Sequence, residues 1–182
     1  MNILAISGSV RKDSYNTALL NEISELSPKH MHVNLFDAIN QIPIFDPELA
    51  DEYMPDSVLR LLSMIRESDG IIFSAPEYAH GVSGVLKNLL DWLVASDAPI
   101  LKPVMVTSVS TSGLGGVRSF SPLITILTAM NTFVVIEASF CVPYAKEKFD
   151  ESLNLNDEIT TKRIEISMQA FERAISTNKQ HS

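Results

Sequence analysis

The chain has 182 residues, 46% hydrophobic and 20% charged, a composition that fills a sizeable core and excludes an intrinsically disordered polymer. At about 100 to 200 residues per domain, that length predicts one domain over residues 1–182. Fourteen Lys and Arg against 22 Asp and Glu leave a net charge of −8, which repels phosphate backbones and anionic lipid, so neither nucleic acid nor a membrane surface is an expected partner.

In chain order, residues 2–7 are nearly continuously apolar (Ile3-Leu4-Ala5-Ile6) and stop at Gly8-Ser9, the pattern of a strand buried on both faces. From Ser14 the apolar residues Ala18, Leu19, Leu20, Ile23 and Leu26 fall at helical spacing until Ser27-Pro28. The alternation predicts further strands at 32–36, 70–75, 104–109 and 132–136, and helices at 57–67, 82–95, 120–130 and 157–176. Five strands alternating with five helices predict an α/β three-layer sandwich, its five-stranded parallel sheet in the order 2-1-3-4-5 with helices on both faces.

Two stretches break the rhythm. Residues 38–55 hold Pro43, Pro47 and Pro55 among Asp46, Glu48, Asp51 and Glu52, too proline-rich for a helix interior and long enough for a functional or interface loop. Residues 137–156 form the second long connection, in which Tyr144 and Phe149 either cover a site or simply pack, and the tail 178–182 is expected to fray. The lone Cys141 excludes an intrachain disulfide and is expected to be a buried, inert thiol. The first residues lack a basic n-region and a long apolar h-region, and no apolar run nears the roughly 18 residues that span a bilayer. A cytoplasmic protein is expected.

Ligands of such sheets bind beyond the carboxyl ends of the strands where the winding reverses, which selects the loops after strands one, three and four. The first carries Ser9, Arg11, Ser14 and Asn16 at the start of a helix, hydroxyls, an amide, a cation and backbone N–H groups suited to a phosphate monoester. Ser14 equally suits a helix cap and Arg11 a solvated surface. The second loop, Pro76-Glu77-Tyr78 through Gly81, offers amides and an aromatic edge to a flat heterocycle. In the third, Gly113, Gly115 and Gly116 beside Ser112 permit close approach of a ligand or simply make a turn. Walker A, GxGxxG and GxSxG patterns are missing, which weighs against an ATPase, a dinucleotide Rossmann domain and a hydrolase. His30 and His32 lack companion ligands at metal spacing, so no metal is expected.

Gly8-Ser9-x-Arg11-x-x-Ser14-x-Asn16, with Pro76-Glu77-Tyr78 and Gly84-x-Leu86-Lys87-Asn88-x-x-Asp91-Trp92, resembles the NADPH-dependent FMN reductase family over roughly residues 1–140. That resemblance implies a flavodoxin-like fold, an FMN cofactor and NADPH or NADH as co-substrate. It implies hydride transfer from nicotinamide C4 to flavin N5 and electrons passed on to a quinone, azo compound, metal oxyanion or free flavin. It assigns Ser9, Arg11, Ser14 and Asn16 to the FMN phosphate, Pro76, Glu77, Tyr78 and Gly81 to the ring, and, more loosely, Ser112, Gly113, Gly115 and Gly116 to a third flavin loop. No side chain is then needed as acid or base. Residues 42–46 resemble the family's proline loop, and Lys87 with Asp91 lies on a helix through which members associate, so a homodimer or homotetramer is implied. Ala79 stands where many members have Asn; His80 is a candidate substrate contact, and Lys12 and Arg118 are candidates for a 2′-phosphate. A non-catalytic electron carrier or flavin-dependent sensor is the alternative, and a flavin-free phosphate-binding module a more distant one.

Overall fold

The computed structural model describes residues 1–181. Strands β1 (Asn2–Ser7), β2 (His32–Phe36), β3 (Gly70–Ser74) and β6 (Pro103–Val109) pair in parallel, and β7 (Phe133–Val134) and β8 (Phe140–Val142) both pair with β6. The order β2-β1-β3-β6-β7 is the predicted 2-1-3-4-5 winding.

Alternation along each central strand divides the core between two faces. Leu4 and Ile6, Ile71 and Phe73, and Val104 and Val106 share one hydrophobic cluster with α3 (Asp56–Glu67), α4 (Gly84–Val94) and α5 (Val117–Ala129). Ile3 and Ala5, Ile72 and Met105 share the other with α1 (Tyr15–Leu26) and α7 (Glu158–His181). Every residue of β3 and β6 is buried, and these runs are apolar on both sides except at Ser74, Thr107 and Ser108.

The fold departs from the predicted elements in five places. The expected strand 132–136 pairs only at Phe133–Val134; the edge resumes at β8, and between them the Ser139 hydroxyl accepts from the Val106 N–H at 3.0 Å while donating to the Val135 carbonyl at 2.8 Å. A side chain thus replaces one rung of the ladder. Residues 38–55 contain a helix after all, α2 (Pro47–Glu52), because Pro47 sits in its first turn and the Asp46 carboxylate caps it by accepting from the Glu48 N–H at 2.9 Å. The helix expected from residue 82 starts at Gly84, since Glu77–Tyr78 (β4) and Gly81–Val82 (β5) pair as an antiparallel hairpin. A short helix α6 (Ala145–Lys148) lies in the connection 137–156. The tail stays helical to His181, and Ser182 lies outside the described residues.

Candidate functional site

β1 and β3 end in Ser7 and Ser74, and β6 carries Thr107 and Ser108 just before its last residue, Val109. In register these form a row of Ser7, Ser74 and Thr107 across the carboxyl edge of the sheet. The Ser7 and Thr17 hydroxyls bond at 2.8 Å, and Thr107 donates to the Phe73 carbonyl at 3.2 Å. Ser108 and Ser119 both donate to the Ala75 carbonyl, at 2.7 and 3.0 Å, and Ser83 donates to Gly8 O at 2.6 Å. Buried strand-end carbonyls thus find partners without any buried charge, and the loops that leave the sheet are tied to one another.

Beyond this edge Ser9, Arg11, Ser14, Asn16, Pro76, Glu77 and Tyr78 line a pocket of about 150 Å³, completed by Asp13, Tyr15, Val109, Ser110 and Thr111. Ser14 caps α1 by accepting from the Thr17 N–H at 3.4 Å, and the N–H groups of Tyr15 and Asn16 open that helix with no acceptor inside it. The Ser9 hydroxyl accepts from the Arg11 N–H at 3.3 Å. The Arg11 guanidinium is exposed and has no side-chain partner among the described residues. A free guanidinium, hydroxyls and open helix N–H groups form a donor set that fits a phosphate monoester.

Asn16 lines the pocket and also ties the strand ends together. Its Nδ2 donates to Val109 O at 3.2 Å, and its Oδ1 accepts from Ser74 Oγ at 2.9 Å and from the Val109 N–H at 3.3 Å. Its amide is therefore committed to joining the ends of β3 and β6 to the first loop.

Of the remaining expected site residues, Gly81, Ser112, Gly113, Gly115 and Gly116 lie outside this pocket wall. A Cβ on Gly113 would come within 2.6 Å of the Tyr144 hydroxyl, and one on Gly116, at φ +85°, within 2.0 Å of Ser108 Oγ. These glycines let the turn close onto β6 and onto Tyr144, and Ser110 and Thr111 just upstream stand in the pocket wall. Gly81 closes the ring-loop hairpin opposite Tyr78, and its tip residues Ala79 and His80 have φ of 49° and 59°. Positive φ at both central residues is the requirement of a type I′ turn, here met without Asn or Gly.

The sequence left three further features open. Tyr144 packs on Gly113 beside the third loop, whereas Phe149 is buried against Tyr15 of the pocket wall, with ring centroids 5.5 Å apart. Cys141 sits in β8, half-buried, and burial, reinforced by the Glu77 carboxylate, pushes its thiol up to about 11. Lys12 lines a separate hollow of about 370 Å³ with Glu22, Glu25 and Asn154, on the side of α1 that faces residues 152–154. Asn88 and Trp92 explain their place in the motif: Asn88 Nδ2 and Trp92 Nε1 each donate to Pro43 O at 2.8 Å, and Asn88 Oδ1 accepts from the Phe45 N–H at 2.8 Å. The proline loop is thereby held on α4 with Ile44 projecting, 87% exposed.

The family model for NADPH-dependent FMN reductases matches residues 1–147. The chain belongs to the NADPH-dependent FMN reductase family. It is 32% identical over 153 residues to a quinone reductase of Escherichia coli, covering 82% of this chain and 81% of that one. It is 31% identical to an NAD(P)H-dependent FMN reductase of Pseudomonas aeruginosa over 176 residues, 94% of each. Among solved structures, the flavoenzyme NAD(P)H:(acceptor) oxidoreductase FerB of Paracoccus denitrificans superposes with a TM-score of 0.84 at 26% identity, covering 97% of this chain and 98% of that one. A flavodoxin-like protein of Agrobacterium tumefaciens, at 14% identity and a TM-score of 0.58, shares the fold. The protein is thus a flavodoxin-like flavin oxidoreductase with FMN as cofactor, NAD(P)H as co-substrate and a small molecule as acceptor. Among the described residues no helix is long and apolar enough to cross a membrane.

Proposed function

We propose that this chain, acting as a single FMN-binding domain, is a cytoplasmic quinone reductase that works as a homodimer or homotetramer. The observation that carries the reading is the pocket where the first and second loops meet the end of β6, with the exposed Arg11 guanidinium at its wall and, among the described residues, no carboxylate ion-paired to it. Arg11, the Ser9 hydroxyl and the open N–H groups of α1 hold the phosphate; Pro76, Tyr78, Ser110 and Thr111 border the remainder of the cofactor. Ser14 contributes by fixing the start of α1 and Asn16 by fixing the strand ends. Bound FMN supplies hydride acceptance from NAD(P)H and delivery of two electrons to the quinone. Tyr78 is exposed, so the ring loop is open to solvent on that side.

Similarity to proteins named quinone reductase supports the choice of acceptor, and the projecting Ile44 with the Lys87–Asp91 pair on α4 supports association through that face. The test is an anaerobic visible titration of the FMN-loaded protein with NADPH and, separately, NADH, followed by a quinone. The expected result is bleaching of the flavin band within seconds and its return on adding the quinone. Bound flavin that neither nicotinamide reduces would overturn the reading in favour of an electron carrier, and reduced flavin that a quinone leaves unchanged would refute the acceptor.

A further inference from the structure

The Glu77 side chain is the least exposed member of a three-residue cluster that the reading above leaves without a role. Its side chain is 14% exposed, against 71% for His80 and 50% for Arg118. Glu77 Oε2 accepts from the Arg118 N–H at 3.1 Å, and Oε1 lies 3.2 Å from His80 Nδ1 and 3.9 Å from Arg118 Nη1. His80 Nδ1 is in turn 3.0 Å from Arg118 Nη1.

Helix α5 begins after Gly116, which has no side chain to cap it. The first-turn N–H groups of a helix lack intrahelical acceptors and carry its positive end, so a carboxylate reaching in from another element satisfies both needs. Glu77 is that carboxylate. The hairpin it reaches from has two residues in each strand and a tip with positive φ at Ala79 and His80, and a ribbon so short does not hold its shape alone. The same cluster places the half-exposed Arg118 guanidinium 3.9 Å from the Glu77 carboxylate.

We propose that Glu77 is a positioning residue, whose carboxylate clasps the ring-loop hairpin to the N-terminus of α5 and so sets the placement of Tyr78 at the flavin pocket. The proposal rests on the FMN reading above. Reach, rather than charge alone, makes the clasp, and two variants separate them. Glu77→Gln keeps an acceptor at the same distance; Glu77→Asp keeps the charge but is one methylene shorter.

The experiment measures amide hydrogen exchange at Arg118 in the FMN-free protein, and the FMN dissociation constant and visible spectrum on reconstitution. Loss of one such hydrogen bond is expected to speed Arg118 exchange and raise the FMN dissociation constant by about tenfold each in Glu77→Asp and Glu77→Ala, with a shifted flavin spectrum. Glu77→Gln is expected to keep both within about threefold of wild type, because the neutral acceptor still reaches the amide. Rescue by Asp and failure of Gln would overturn the role of reach. Faster Arg118 exchange in Glu77→Ala with FMN affinity and spectrum unchanged would show a helix cap that positions nothing, and would refute the proposal alone. A wild-type chain that takes up no FMN would refute the function proposed above and this inference with it, whereas the Arg118 exchange data would still report the cap.

Discussion

Replacing Asn16 with Ala tests whether that side chain belongs to the scaffold or to the ligand. In the structure its amide serves three groups at once: the Val109 carbonyl, the Val109 N–H and the Ser74 hydroxyl, at 3.2, 3.3 and 2.9 Å. Ser74 is fully buried and Val109 nearly so, which leaves water little access to the groups released. A buried polar group without a partner costs about 1 to 3 kcal/mol, and the Ser74 hydroxyl can turn to another acceptor, so the two Val109 groups set an expected loss of about 3 kcal/mol. For a chain of this size each kcal/mol lowers the melting temperature by about 2 to 4 °C, which predicts a fall of about 6 to 12 °C. Thermal unfolding of the FMN-free protein measures it, since no ligand is then present to be lost. A variant that melts with the wild type yet binds FMN about a hundredfold more weakly would refute the scaffold assignment and return Asn16 to the phosphate site.

Arg11→Ala is expected to do the reverse: the side chain is exposed and without an ion-pair partner among the described residues, so the FMN-free melting temperature stays put while loss of a charge-assisted contact raises the FMN dissociation constant by about 10- to 100-fold in a fluorescence titration. Ala79→Asn places a residue that tolerates the left-handed region at φ 49°, and urea unfolding is expected to show a gain of about 0.5 to 1 kcal/mol. With its thiol raised to about 11, Cys141 stays protonated at pH 8, so alkylation by iodoacetamide is expected to run about a hundredfold slower than for an unperturbed thiol and to climb as the pH approaches that value. Ile44→Glu puts a charge on the most exposed large apolar side chain of the proline loop, and light scattering is expected to show a smaller assembly than wild type.

The parts of the fold legible in the sequence are those whose pattern is local. β1 was bounded by an apolar run that stops at Gly8-Ser9, and α1 by Ser14 and Ser27-Pro28. The split edge strand was not legible, because 132–136 is as β-prone as any strand here and its interruption depends on a hydroxyl from Ser139 meeting the Val106 N–H. The hairpin β4–β5 was hidden for the opposite reason: Ala79-His80 is a poor type I′ sequence, held in place by neighbours. For α2 the signal was present, since Asp46-Pro47-Glu48 is a cap, a first-turn proline and a first-turn acid, and counting prolines outweighed it. In the site, topology located the loops, but the division between binding and bracing residues followed from tertiary contacts that no spacing encodes.

That division has a chemical logic. The groups that brace the site are neutral hydroxyls and one amide, Ser7, Ser74, Ser83, Thr107, Ser108, Ser119 and Asn16, each bonded to backbone or to one another. Had ion pairs braced the first loop, an arriving phosphate would compete for their cations, and cofactor binding would loosen the scaffold it needs. Neutral bonds leave Arg11 free, and in a chain of net charge −8 an uncompensated guanidinium beside open helix N–H groups offers a local attraction that the overall charge opposes. Of the two carboxylates at the pocket wall, Asp13 is exposed, and Glu77, largely buried, is turned to the start of α5, where its Oε2 accepts from the Arg118 N–H. Selection of an anionic cofactor by an acidic protein thus comes down to which charges are already satisfied when the ligand arrives.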